Sequence, residues 1–279
     1  MCICDSSARL PPPRHTLAPY VVMSGMHTVI TRTPNIRRGS DSYAVTAEFY
    51  DILQADEDEA RVRRLYGREI AGARHGVLDI GAGTGRVTML SVTDSWADVH
   101  AVEPARAMRT SLMTRLASLP AEQRGRVTVH PHPLQEAALH AVADVAVCHN
   151  VVGCLPPAVR ERLWSAVGGA LTPDGSLFVQ LPPARLPART VVRLLVDKRV
   201  GEHVYGGRMT MSAVGYRIRT RVDYWVRRSE DVLREHTETF WMWPATRARL
   251  VDELARQDFV PLPGRNDSEL LAMTLPSRR

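Results

Sequence analysis

The stretch that decides the fold is Val77-Leu78-Asp79-Ile80-Gly81-Ala82-Gly83-Thr84-Gly85-Arg86. An apolar run carrying one acid passes into a turn with glycine at every second position, and a helix-forming stretch follows. Glycine is required where a backbone takes positive φ, turns tightly or lets another molecule approach closely. A helix that opens behind such a turn leaves its first N–H groups without intrahelical partners, which suits an anionic or polar ligand group.

Working outward from this turn, short apolar runs at 76–80, 99–102, 126–129, 144–149 and 175–181 alternate with helix-like segments near 85–91, 105–117 and 157–170. Such alternation predicts βαβ units and a parallel sheet covered by helices on both faces, a Rossmann-like α/β core. Upstream, Asp41 is placed to cap a helix carrying Tyr43, Ala47, Phe49 and Tyr50, and a second helix is expected over about 56–72. Downstream of Pro183, residues 207–228 and 232–243 are rich in Thr, Val, Tyr and Trp and partly alternate apolar with charged, which predicts antiparallel strands with one solvated face. A helix at 245–257 and a strand at 268–274 follow. The expected organisation is therefore an N-terminal arm at 1–39, then one domain over 40–279 with a helical lid at 40–72 and a β insertion at about 184–244.

Residues 1–39 contain Pro11-Pro12-Pro13 and no sustained periodicity. They read either as a flexible arm or as an element that docks on a neighbouring subunit through Tyr20-Val21-Val22-Met23 and His27-Thr28-Val29-Ile30, with a homo-oligomer as the consequence. Met23 and Met26 are alternative starts.

The formal charge of +6 is uneven: Lys+Arg against Asp+Glu is 5 to 1 over 1–40, 13 to 17 over 41–183 and 18 to 12 over 184–279. Lys198 is the only lysine, and there is no dense basic stripe of the kind a nucleic-acid binder carries. Cys2, Cys4, Cys148 and Cys154 make neither the paired spacing of a zinc site nor a disulfide scaffold, so no metal is expected and a reduced, cytoplasmic setting is. No run of eighteen apolar residues is present, and residues 1–22 lack a signal-peptide pattern, so no membrane contact is expected.

The glycine turn separates two ligand classes. Dinucleotide enzymes place glycine or alanine at the last position of G-x-G-x-x-G, where this chain has Arg86. The pattern Asp-x-Gly-x-Gly-x-Gly instead resembles the first motif of class I S-adenosylmethionine (SAM) dependent methyltransferases. That resemblance implies SAM as cofactor, held by Asp79, Gly81, Ala82, Gly83 and Gly85, with Asp79 on the ammonium side. The run 99–102 ends at Glu103-Pro104, and an acid there can accept hydrogen bonds from both ribose hydroxyls. After Val127-Thr128-Val129, the acid the family commonly uses for the adenine amino group is replaced in His130-Pro131-His132-Pro133-Leu134-Gln135, where Leu134 is expected on the adenine face. The run 145–149 then leads to His149 and Asn150, which the resemblance puts beside the transferable methyl; the Asn/Asp-Pro-Pro-Tyr/Phe pattern of nucleobase and glutamine methylation is absent.

The resemblance extends over about 40–279. Ser42-Tyr43-Ala44 through Phe49-Tyr50-Asp51 is similar to the lid of small-molecule methyltransferases, in which a tyrosine closes over SAM. The β insertion and the Val152-Gly153-Cys154-Leu155 turn look like macrolide amino-sugar N-methyltransferases, although Gln54-Ala55-Asp56-Glu57-Asp58 stands where that group has Gly-Lys-Gly-Lys-Asp-Tyr. Tyr43 and His149 are the catalytic candidates: Tyr43 to position the methyl or the acceptor, His149 either as a base or as a wall of the pocket. Tyr216, Trp225, His236 and Trp241 are the substrate candidates, since aromatic faces enclose apolar or indolic acceptors and stabilise cationic character. The architecture, arm included, also resembles that of teleocidin-type terpenoid C-methyltransferases, so N- and C-methylation of a secondary metabolite both stay open. The alternatives are an RNA methyltransferase, suggested by the basic ends, and a SAM-binding protein without transferase activity.

Overall fold

The computed structural model describes residues Tyr43–Ser277. The arm, its docking role and the Asp41 cap lie outside the described residues. In chain order, helix α1 (Thr46–Gly72) leads into β1 (Gly76–Ile80), α2 (Arg86–Asp94), β2 (Asp98–Val102), α3 (Arg106–Ala117), α4 (Ala121–Gly125) and β3 (Val127–His130). Then come α5 (Leu134–Ala137), β4 (Ala143–Cys148), a 3₁₀ turn at Val152–Cys154, α6 (Pro157–Ala170) and β5 (Leu171–Gln180). Four strands form the insertion, β6 (Val191–Val200), β7 (His203–Val214), β8 (Arg217–Arg228) and β9 (Asp231–Met242), before α7 (Arg247–Ala255), β10 (Val260–Pro261) and β11 (Leu270–Thr274) close the chain.

Seven strands make the first sheet in the order β10-β11-β5-β4-β1-β2-β3. Pairing is parallel from β3 through β5, and β11 runs antiparallel to β5. The chain reverses direction across this sheet at β1, between β2 and β4, which opens a crevice at the carboxyl ends of those strands. β1 is buried along its whole length, as expected of a parallel strand covered on both faces. On one face α6 and α7 supply Leu163, Trp164, Val167, Leu250 and Leu254 to the core. Their contact is fixed by a buried ion pair, in which Arg160 donates through Nε and Nη2 to Glu253 at 3.0 and 2.8 Å while Trp164 donates to the same carboxylate at 3.1 Å.

The opposite face is covered by α2 and by the second half of α1, through Val62, Leu65, Tyr66 and Ile70. The first half of α1 does something else. Phe49 and Leu53 pack on Val222, Tyr224 and Val226 of the second, four-stranded antiparallel sheet, ordered β6-β7-β8-β9. The Phe49 and Tyr224 rings stack at 4.6 Å, and Glu238 on β9 accepts the Thr46 N–H that opens the helix at 2.7 Å. A single helix thus covers both sheets.

Two elements differ from expectation. The lid is one continuous helix rather than two: of the acids at 51–58 that interrupt its apolar period, Asp51 and Asp58 turn inward onto Arg86, while Asp56 and Glu57 stay on the surface and pair with Lys198 and Arg193. The insertion also begins with β6, which the sequence pattern did not mark: this edge strand exposes Val192, Leu194 and Val196 and so lacks the alternation of a half-buried strand.

Candidate functional site

The glycine turn sits at the carboxyl end of β1, tied down where the N–H groups of Gly81 and Ala82 donate to the Val102 carbonyl at the end of β2. Its three glycines answer to different needs. A Cβ at Gly81 (φ +70°) would lie 2.3 Å from Val151 Cγ2, and one at Gly85 (φ +97°) 2.5 Å from Leu112 Cδ1. Gly83 (φ +58°) has open space: the nearest atom to a Cβ there is 4.0 Å away. Gly83 is therefore where the backbone lies bare to a ligand, and Gly81 and Gly85 let the turn sit against the protein. Ala82 is buried against Leu112 and Leu116.

Glu103 stands beside this opening. Its carboxylate accepts the Gly83 N–H at 2.7 Å and the Ala105 N–H at 2.6 Å. Burial raises its pKa, with those two backbone donors opposing. Pro104, next to it, is exposed. The bare Gly83 backbone with a fixed carboxylate at its flank fits a nucleoside ligand with ribose hydroxyls to donate.

Asp79 is placed differently from expectation. It is buried beneath the turn and accepts from the Thr88 hydroxyl at 2.6 Å, so it anchors the start of α2 instead of reaching the open side. Burial raises its pKa to about 7; Thr88 opposes the shift and the charge of Glu103 adds to it. Leu134 is likewise covered, packed in the main core cluster that includes Ile80 and Val102, rather than presenting a free face to an adenine.

The lid closes the other side. Tyr43 (φ +66°) precedes α1, stacks on Phe240 with centroids 5.0 Å apart and donates to Cys154 Sγ at 3.8 Å. Burial first, then the neighbouring Cys154, pushes its pKa far above the ordinary phenol value, so Tyr43 stays protonated. Further along α1, Asp51 accepts from Thr84 in the glycine turn at 2.7 Å and pairs with Arg86 at 2.8 Å and Arg115 at 2.6 Å.

His149 follows β4 and is buried, with both ring nitrogens turned to α1. Nδ1 hydrogen-bonds the Tyr66 hydroxyl at 3.1 Å, and Nε2 faces Asp58 Oδ1 at 3.6 Å, just beyond hydrogen-bond length. Asp58 also accepts from the Tyr50 hydroxyl at 3.1 Å and lies 3.5 Å from Arg86 Nε. Burial pushes the Asp58 carboxyl up, but His149, Arg86 and Tyr50 together hold it below its ordinary value. Of these partners, the sequence reading gave Asp51, Asp58 and Tyr66 no site role, and it used Arg86 only to set the glycine turn apart from that of dinucleotide enzymes.

The four aromatic candidates of the insertion do not converge. His236 pairs across from Tyr224 and lies 6.0 Å from the Phe49 ring, on the sheet face that α1 covers. Trp225 and Trp241 fall on the opposite face by the alternation of strand residues, stacked under Arg227 at 4.7 Å and Arg217 at 4.1 Å. Tyr216 is 75% exposed in the hairpin between β7 and β8. Among the described residues no cluster of His, Cys, Asp or Glu could hold a metal, and no helix is long and apolar enough to cross a membrane.

The sheet order with its reversed last long strand, the bare glycine turn and the acid at the end of β2 define a Rossmann-like fold of the class I methyltransferase kind. Residues 78–177 match a family described as a methyltransferase domain. Among solved structures it resembles CalS10, an amino pentose methyltransferase from Micromonospora echinaspora, at 21% identity and a TM-score of 0.57, covering 80% of this chain and 90% of that one. It also resembles the sugar N-methyltransferase KedS8 from Streptoalloteichus sp ATCC 53650 (19% identity, TM-score 0.59, 91% and 100% covered). Streptomyces venezuelae DesVI is similar at 17% identity and a TM-score of 0.61, with 84% and 98% covered. No curated protein matches the chain.

Proposed function

We propose that this chain is a SAM-dependent methyltransferase that methylates a nitrogen on a small, sugar-like natural product. The observation that carries the reading is the open backbone at Gly83 beside the Glu103 carboxylate, within a methyltransferase domain. The choice of a sugar amine is supported by the likeness to proteins described as amino pentose and sugar N-methyltransferases.

SAM, when bound, supplies a methyl carbon activated by a sulfonium leaving group. Gly83 leaves room for the nucleoside, and Glu103 retains lone pairs for its ribose. Asp51, gripped by Thr84, Arg86 and Arg115, draws the lid onto the turn and helps exclude water. Tyr43, kept protonated and fixed by Phe240 and Cys154, offers a phenol oxygen to orient the reacting groups. His149, with its nitrogens engaged toward α1, holds the lid to β4 rather than serving as a base. Alignment is then the main contribution, and an amine that arrives unprotonated can attack without a base, its surplus proton passing to solvent afterwards. An indolic or terpenoid acceptor is less well supported, because the aromatic residues of the insertion divide between two sheet faces.

The same reading has the enzyme working in the cytoplasm as a homo-oligomer, on a small molecule and without nucleic acid or membrane; free thiols at Cys148 and Cys154 suit a reduced compartment. Calorimetric titration of SAM, S-adenosylhomocysteine and NAD tests the central claim. Binding of the first two but not NAD, abolished by Gly83→Arg, is expected. Preference for NAD, or no SAM binding, would overturn it.

A further inference from the structure

The hydroxyl hydrogen of Tyr43 is already committed within the protein. The phenol donates to Cys154 Sγ at 3.8 Å, and the Cys154 thiol donates in turn to the Asn150 carbonyl at 3.8 Å. Burial raises the pKa of Cys154, with the Tyr43 bond opposing, so the thiol keeps the hydrogen that it donates. Lid phenol, thiol and backbone carbonyl thus form one chain in which each hydrogen points away from the phenol oxygen.

Every member of the chain is held in place. Cys154 ends the 3₁₀ turn Val152–Cys154 and donates its N–H to the Val151 carbonyl at 2.8 Å. In the same turn Gly153 accepts the Trp243 N–H at 2.7 Å, just beyond the end of β9. A Cβ at Gly153 would lie 3.2 Å from Met242 Cε and 3.3 Å from Pro182 Cβ, so the turn sits close against its neighbours. Asn150 (φ +58°) is fixed at the far end, where its N–H donates to Gln180 Oε1 at 3.0 Å. Phe240 sets the plane of the Tyr43 ring by stacking on it.

What Tyr43 then offers a ligand is lone pairs. The phenol feels the charge of Glu103, which adds to the rise in its pKa and ties it to the carboxylate beside the bare glycine turn. A sulfonium spreads positive charge onto the hydrogens of its methyl group, and polarised C–H groups favour oxygen acceptors. A phenol free to rotate would present its own hydrogen there part of the time.

We propose that Cys154 is a positioning residue: by taking the phenol hydrogen it fixes Tyr43 as an acceptor toward the methyl group of SAM. The inference rests on the methyltransferase reading above. The thiol acts through Tyr43 and neither forms a bond nor exchanges a proton in the transfer.

Calorimetric titration of SAM and S-adenosylhomocysteine into full-length protein tests it, because the sulfonium methyl is what separates the two ligands. Cys154→Val keeps the volume of the side chain and removes the acceptor, while Tyr43→Phe keeps the stacked ring and removes the hydroxyl. Each is expected to lower the ratio of SAM to S-adenosylhomocysteine affinity about threefold. Cys154→Val made in the Tyr43→Phe protein is expected to lower it no further. A role in packing alone would weaken both ligands equally and leave the ratio where it was. An unchanged ratio in either single variant, or losses that add in the double variant, overturns the inference. Failure of the unsubstituted protein to bind either ligand would instead overturn the function proposed above, so the two are separable.

Discussion

The two sheets of this chain are stabilised in contrasting ways. In the seven-stranded sheet, β1 is buried from end to end and helices cover both faces. In the four-stranded sheet, β8 alternates strictly: Ile218, Thr220, Val222, Tyr224 and Val226 are buried, while the residues between them are partly or fully exposed. One sheet is a core; the other is a surface fastened by α1. The difference teaches where rigidity resides. The glycine turn grows from the sheet with no free face, whereas the insertion is fastened by the first half of α1, through Phe49 and Leu53 in the apolar contact and Thr46 bonded to Glu238 and Tyr224.

The strongest way to break the first sheet is Glu253→Ala. It strands Arg160, which is fully buried, without its carboxylate partner, at a cost of about 3–5 kcal/mol. Calorimetry should show a large fall in the unfolding midpoint of the whole domain. Phe49→Ala attacks the fastening instead. It removes a fully buried ring from the interface with β8, costing about 3 kcal/mol, and hydrogen exchange should show β7–β9 losing protection while β1 and β4 keep theirs. Equal loss everywhere would refute the contrast.

A smaller effect sharpens the picture through pH. The folded-state pKa of Asp79 is raised to about 7, so the native protein holds a proton that the unfolded chain has already released. The contribution of Asp79 to stability should therefore be fully present below the ordinary carboxylate value and be lost as pH climbs toward 7. Glu103, raised in the same direction, adds to the slope. Asp79→Asn should flatten most of it, seen as a smaller difference in unfolding midpoint between pH 5 and pH 8; an unaltered slope would sink the assignment. The smallest effect is expected at the solvated edge of the insertion. Arg234→Ala, which removes an exposed pair with Glu48, should leave the midpoint unchanged within error.

What the sequence made legible follows the same division. The strand–turn–helix at 76–94 could be read directly, because glycine spacing and a continuous apolar run are local signals. Glu103 followed from its place at the end of β2. The network around His149 could not be read, since Asp58 and Tyr66 are brought to it across 91 and 83 residues of chain by the course of α1. The aromatic candidates of the insertion misled for a related reason: composition shows that Trp225, His236 and Trp241 are near one another in sequence, but strand alternation sends them to different faces. Leu134 looked available because it follows His130-Pro131-His132-Pro133, and its burial comes only from the packing of α5.

α1 has a further consequence for how such a chain can diversify. One helix carries separate footings for two sheets, with Phe49 and Leu53 on one and Val62 through Ile70 on the other, so a replacement of the outer sheet has to keep the first footing and the Phe240 ring that holds Tyr43. A grafted insertion that met both conditions would leave the glycine turn and the lid tyrosine where they are, and a library of such insertions could be sampled on one chassis.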